Sequence, residues 1–257
     1  MANDTDCTAT VPLPDHSRAV FDAATGSAVA CWETSLASIY SNSDRRLDAS
    51  HYDPKTQESL QVLKDSGHRL TSLADLATVY LPSQFVRIWA KDRRFGIPYV
   101  NATDLMSLMS LGVTSSETRF LSRETDVDLD DLVIREGYLL VSCSGTIGRV
   151  FYVPPRLDGW VATHDIIRVV PGPDVPIGYL HAFLTSELAQ RQILGHTHGG
   201  QIDHITEVQL GATKIPILSS QSMESIHQIT ISALNCREQA LSSLSDVTNV
   251  LLGALHS

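Results

Sequence analysis

A chain of 257 residues, 43% of them hydrophobic and 19% charged, can bury a full core and predicts one domain with an appendage. Its formal net charge of −10 excludes a generic nucleic-acid coat, but not a site-specific reader whose basic residues are concentrated on one face. No apolar run approaches the roughly 18 residues of a membrane span. MANDTDCTAT lacks the basic and apolar regions of a signal peptide, and Cys7, Cys31, Cys143 and Cys236 form no CxxC pair, so the expectation is a reducing cytoplasm.

Residues 1–45, weakly patterned and rich in Ala, Ser, Thr and Asp, predict a loose arm with one short element near Val29–Ile39. Asp53 followed by Pro54 is a helix start, an N-cap acceptor and then a proline in the first turn; Leu60 and Leu63 give that helix its apolar stripe, and Gly67 stops it. A second short helix is predicted over Ser72–Thr78, with Leu73 and Leu76 inward. Residues 81–100 form the locally basic segment: Arg87, Lys91, Arg93 and Arg94 face a single acid, Asp92, with Phe85, Trp89 and Phe95 interleaved. Cations among aromatics suit phosphate and base contacts, and equally suit a hairpin whose aromatics are core and whose charges are merely solvated. Residues 117–136 are biased the other way, with seven acids against Arg119, Arg123 and Arg135, and read as a solvated surface facing away from DNA.

The chain is organised around residues 136–170. Tyr138 to Val141 is wholly apolar, the pattern of a strand covered on both faces. Ser142 to Gly148 carries two glycines, two serines and a threonine, so the backbone turns sharply and exposes small donors. Val150 to Val153 leaves as a second strand, and Ile166 to Val170 forms a third. Donors held on a rigid frame suit gripping a phosphate or a base edge, here through Ser144, Thr146 and Arg149. A second reading makes Ser144 or Cys143 a hydrolase nucleophile, with His164 and Asp165 near in sequence, although the loop returns to a strand where a nucleophile elbow enters a helix.

Ile177 to Leu194 has a helical apolar period through Leu180, Phe183, Leu184, Leu188 and Ile193. The histidine-rich turn that follows offers His198, Gln201 and His204 as donors to DNA, with metal binding by His196, His198, His204 and Asp203 as the alternative and a solvated turn as the plainest reading. Val208–Leu210 and an edge strand, Ile215 to Leu218 with Pro216, come next. From Ser220 onward there is no proline, and apolar residues recur every three or four positions: Ile226, Ile229, Ala233, Cys236, Ala240, Leu244, Val247, Leu251 and Leu255. That is one long helix whose seam wants a partner helix.

Six stretches, in order, resemble the DNA-specificity (S) subunits of type I restriction–modification systems: RLDASHYDP at 46–54, FVRIWAKDRRFGIPYVNATDL at 85–105, EGYLLVSCSGTIGRV at 136–150, HDIIRVVP at 164–171, IGYLHAFLTSELAQRQI at 177–193 and GGQIDHITEVQLGATKIPIL at 199–218. The resemblance implies an α+β target-recognition domain over residues 46–218, with a mixed or antiparallel sheet and flanking helices, and a coiled-coil-type spacer helix over 219–257. Full-length members carry two of each, so this chain looks half-size. It further implies a non-catalytic chain without a cofactor, reading one half of a bipartite site in double-stranded DNA. The partners implied are a methyltransferase (M) subunit holding S-adenosylmethionine, a restriction (R) subunit in restricting complexes, and an identical chain or second S fragment on the helix. An interaction module that keeps this fold without reading DNA is the remaining alternative.

Overall fold

The computed structural model describes residues 17–22, 27–32, 35–41, 52–109, 118–197 and 204–255. The predicted loose arm contains more order than its composition suggests. Strands β1 (Ser17–Asp22) and β2 (Ser27–Trp32) pair antiparallel, with Val20 opposite Val29, and helix α1 (Leu36–Ser41) follows. Val20, Phe21, Val29 and Trp32 supply the strand preference.

Helix α2 (Pro54–Asp65) starts as expected, with the Asp53 carboxylate accepting the Lys55 N–H at 2.9 Å. The predicted helix Ser72–Thr78 shrinks to one turn, α3 (Leu73–Leu76), between β3 (Arg69–Ser72) and β4 (Ala77–Tyr80). Leu73 and Leu76 are buried as expected, while β-branched Thr78 and Val79 go into a strand.

The central sheet is antiparallel and ordered β4-β10-β7-β8, with β7 spanning Leu139–Ser142, β8 Val150–Tyr152 and β10 Ile166–Pro171. Leu139 and Val141 project into one core with Ile167 and Val169; Leu140 projects into another with Phe151 and Ile166. Burial on both faces explains the uninterrupted apolar run. The second core is closed by a mixed sheet ordered β6-β5-β9, built from β5 (Gly96–Val100), β6 (Arg119–Ser122) and β9 (Val161–Ala162), together with α4 (Ala102–Met109) and the residues after the single turn α5 (Leu129–Leu132). Where the two sheets meet, Arg168 is fully buried. Its two Nη groups donate to the carbonyls of Thr163, Ile166, Ala162 and Leu132, which offsets part of the cost of burying the charge.

On the first core lie α6 (Ile177–Thr185) and α7 (Glu187–Gly195), two helices where the apolar period predicted one. The break is at Ser186, whose hydroxyl caps α7 by accepting the Ala189 N–H. Residues around Val208–Leu210 form a short helix, α8 (Glu207–Gly211), closed by a capping box between Thr206 and Gln209. Strand β11 (Lys214–Ile217) then pairs with β3 at the sheet edge its proline implied. Helix α9 (Ser220–Leu255) runs 36 residues, about 54 Å at 1.5 Å per residue. Its first half packs on α6: Met223 and Leu234 are buried, and the Gly178 N–H donates to His227 Nδ1 at 3.0 Å. Beyond Leu241 the described side chains of α9 are exposed on every face. No described helix is long and apolar enough to cross a membrane.

Candidate nucleic-acid interface

The turn after β7 is preformed. Ser142 Oγ donates to the Thr146 carbonyl and accepts the Arg149 N–H, while the Gly148 N–H donates to the Ser142 carbonyl at 3.0 Å. Gly145 and Gly148 take φ of +67° and +82°, which L side chains rarely adopt. Gln190 of α7 fastens the turn from behind, its Nε2 donating to the carbonyls of Gly148 at 2.8 Å and Leu184 at 2.6 Å. From the other side the Ile205 N–H donates to the Cys143 carbonyl, and Ser144 forms an antiparallel bridge with His204. These contacts leave Gly145, Thr146 and Arg149 exposed at the tip. A cavity of about 610 Å³ opens beside them, lined by Ser144, Thr146, Arg149 and His204 on one side and by Ala102 and Thr103 of α4 on the other.

The basic segment lies next to this turn. Ile166 pairs with Ser142 across the sheet, and just before it Thr163 and Asp165 engage Arg87. Arg87 donates to Tyr99 Oη at 2.7 Å and Thr163 Oγ1 at 2.9 Å, and sits 3.7 Å from Asp165. It is therefore committed to the frame of the domain. Arg94 is committed too: Asp92 caps its turn, accepts its Nε and Nη2 at 2.9 and 2.6 Å, and is thereby held below the usual carboxylate range. Lys91 and Arg93 stay exposed, beside an apolar ridge of Val86, Ile88, Trp89 and Phe95.

Local charge reading does not single out Arg119. In sequence it belongs to the acidic stretch, yet β6 pairs with β5 and lays its guanidinium over the Trp89 ring at 4.7 Å, close to Tyr99. Trp89 in turn meets Tyr99 edge to face. Thr103, which lines the cavity, carries no mark in the sequence around it. His198 and Gln201 lie outside the described residues, as do Asp203 and the first six residues of the RLDASHYDP stretch.

Other chemistries find less support in the geometry. The Cys143 thiol is buried, and burial pushes it up to about 11, so it is protonated at neutral pH, whereas the nucleophile is the thiolate. The turn leads from strand to strand, with no elbow into a helix. Among the described residues no group of three or more potential ligands could hold a metal ion.

On α9 the expected seam divides. Ile226 packs against the domain core, whereas Ile229, Ala233, Leu244, Val247, Leu251 and Leu255 are exposed.

No protein-family model matches the sequence, and no curated protein matches it. Among solved structures, a type I restriction–modification S subunit from M. genitalium is similar at 16% identity and a TM-score of 0.45, over 71% of this chain and 43% of that one. An HsdS subunit from Thermoanaerobacter tengcongensis is similar at 13% identity and a TM-score of 0.45, over 75% and 46%. The type IIG restriction endonuclease BpuSI is similar at 10% identity and a TM-score of 0.45, over 70% and 28%. The chain thus spans under half the length of each of these three proteins.

Proposed function

We propose that this chain recognises DNA for an adenine methyltransferase, reading one half of a bipartite site through a target-recognition domain of about residues 46–218 and assembling through α9. The observation that carries this reading is the convergence of two separate segments on one end of the sheet. Ser142, at the root of the clamped turn, pairs with Ile166, and the basic segment is tied to the same stretch through Arg87, which engages Thr163 and Asp165. The six-stretch resemblance supports it independently, as does a long helix that beyond Leu241 lacks a packing surface among the described residues.

In mechanism the chain binds and positions, and its own residues carry out no bond-making step. Backbone and hydroxyl donors at Ser144 and Thr146 and the guanidinium of Arg149 suit phosphate or base-edge contact. Lys91 and Arg93 add phosphate neutralisation, which has to be local because the overall charge of −10 repels DNA. A methyltransferase partner enclosing the duplex would supply the remaining affinity and the S-adenosylmethionine. Modified-base sequencing of host DNA with and without this gene tests the reading. Loss of a bipartite N6-methyladenine motif on deletion is the expected result; an unchanged methylome in a strain that expresses the chain would overturn it.

A further inference from the structure

Two glutamines on α7, two positions apart and so on nearly opposite sides of the helix, have different neighbours. Gln192 bonds to β11: its Nε2 donates to the Lys214 carbonyl at 3.1 Å, and its Oε1 accepts the Lys214 N–H at 2.8 Å. Gln190 bonds to the turn. One amide hydrogen goes to the Gly148 carbonyl at 2.8 Å and the other to the Leu184 carbonyl of α6 at 2.6 Å. The break between α6 and α7 sets its place, because Ser186, which caps α7, also accepts the Gln190 N–H through its carbonyl at 2.9 Å.

The bond to Gly148 has a specific effect on the turn. The Gly148 carbonyl and the Arg149 N–H are the two ends of one planar peptide group. Gln190 holds its oxygen, and Ser142 Oγ accepts its N–H at 3.0 Å. The plane therefore cannot rotate without breaking a hydrogen bond. Glycine needs such a restraint more than other residues, since the φ of +82° at Gly148 is one of several conformations open to it. The fit is close: a Cβ built on Gly148 would lie 2.7 Å from Gln190 Oε1. Ile147 is buried in the first core, but a buried side chain does not by itself orient the peptide that follows. Thr146 before this peptide and Arg149 at its end are exposed.

We propose that Gln190 is a positioning residue for DNA recognition: it holds the Gly148–Arg149 peptide, and through it the Ser144–Arg149 turn, in the geometry that meets the duplex before the duplex arrives. The proposal rests on the DNA-recognition reading for its ligand and adds the residue that preorganises the contact. Preorganisation removes an ordering cost from binding, so a turn that is competent only part of the time binds more weakly by that fraction.

Gln190→Met keeps the length of the side chain and removes both donors. Gln192→Met is the matched control, because it deletes the bonds of the same helix to β11. The full chain, with a methyltransferase partner, is titrated by fluorescence anisotropy against two duplexes. One carries the motif lost from the methylome when the gene is deleted; the other has the same length with that motif scrambled. For Gln190→Met the motif duplex should bind about tenfold more weakly, the effect of a turn competent about a tenth of the time. The slope of log K against log salt should not change, because no cation is lost, and binding of the scrambled duplex should change by less than about twofold. Amide exchange should quicken in residues 143–149. Gln192→Met should lose thermal stability without losing motif affinity. Gln190→Glu, equal in shape but with an oxygen in place of the donating nitrogen, is read the same way should Gln190→Met not fold. A Gln190→Met protein that binds like the wild type, or an equal loss of motif affinity in Gln192→Met, overturns the proposal and leaves the DNA-recognition reading standing. A wild-type complex that does not distinguish the two duplexes overturns that reading, and the proposal with it.

Discussion

At the scale of single residues, the cations of this chain separate into those consumed by the fold and those offered to solvent. Arg168 and Arg87 belong to the first group. Burial lowers Arg168 to about 10, still far enough above neutrality that the guanidinium holds its carbonyls as a charged group. Lys91 and Arg93 belong to the second, so Lys91→Ala with Arg93→Ala should weaken DNA binding similarly on all sequences. It should reduce the slope of log K against log salt by up to about 2 in magnitude. Arg94→Ala should change that slope less, because Asp92 already neutralises it. Salt-titrated binding isotherms check both, and an unchanged slope in the folded double variant would place this surface away from DNA. A third residue governs the response to acid. His181 on α6 is lowered to about 4, first by burial and then by the charge of Arg237 on α9, and its buried Nδ1 makes no hydrogen bond. Arg237 faces Glu238, which pairs with Arg156. Between about pH 6.5 and 4 the unfolded chain takes up a proton at His181 that the folded chain refuses. Stability should therefore fall across that window by at most about 3 kcal/mol from this group, with no further loss below it. Denaturant titrations at pH 7 and pH 4.5 should show a smaller drop for His181→Gln than for the wild type.

At the scale of elements, docking of the first half of α9 depends on one close approach. A Cβ built on Gly178 would lie 2.7 Å from the His227 carbonyl oxygen and 2.9 Å from its Cα, backbone atoms that cannot swing aside. Gly178→Ala should cost about 1–3 kcal/mol and raise amide exchange in residues 223–234, where the same change at Gly253, which meets nothing, should not. Elements whose cause is local were legible in the sequence. The strand Leu139–Ser142 is written as consecutive apolar residues because both its faces are buried, and α2 announces itself through Asp53 and Pro54. The break between α6 and α7 was not legible, because the apolar period runs through it and the capping hydroxyl of Ser186 is a weaker signal than the stripe. The interface was half legible for the same reason. The Ser142–Gly148 turn follows from its own glycines and hydroxyls, whereas the fate of Arg87 depends on Thr163, 76 positions away. That of Arg119 depends on a strand pairing that no local charge count contains.

At the scale of the molecule, α9 is the element whose surface does not match its surroundings. Its first half is tied to the domain by a charge pair, Arg156–Glu238. Beyond Leu241 it carries Asp246 as its single charge up to Leu255 and no packing surface among the described residues. Ile229, Ala233, Cys236, Ala240, Leu244, Val247, Leu251 and Leu255 fall three or four apart and form one stripe along the helix. Leu244, Val247, Leu251 and Leu255 are each 47–72% exposed, and a stripe of that size is stable in water when another helix covers it. The prediction is pairing with a second copy of this chain: antiparallel association about a twofold axis would cover both stripes at once and would make two half-sites inverted repeats. Centring the pair on the stripe, near Ser242, sets Cys236 opposite Thr248 of the other copy. Thr248→Cys should therefore form an intermolecular disulfide with the partner's Cys236, whereas parallel pairing would join Cys236 to the partner's Cys236 in the unmodified protein. Leu244→Asp should dissociate the pair, because it buries a charge without a partner in the middle of the seam. Light scattering reads the mass, and non-reducing electrophoresis reads the cross-link. A wild-type chain that stays monomeric at tens of micromolar, alone and with a methyltransferase partner, would remove α9 as the assembly element.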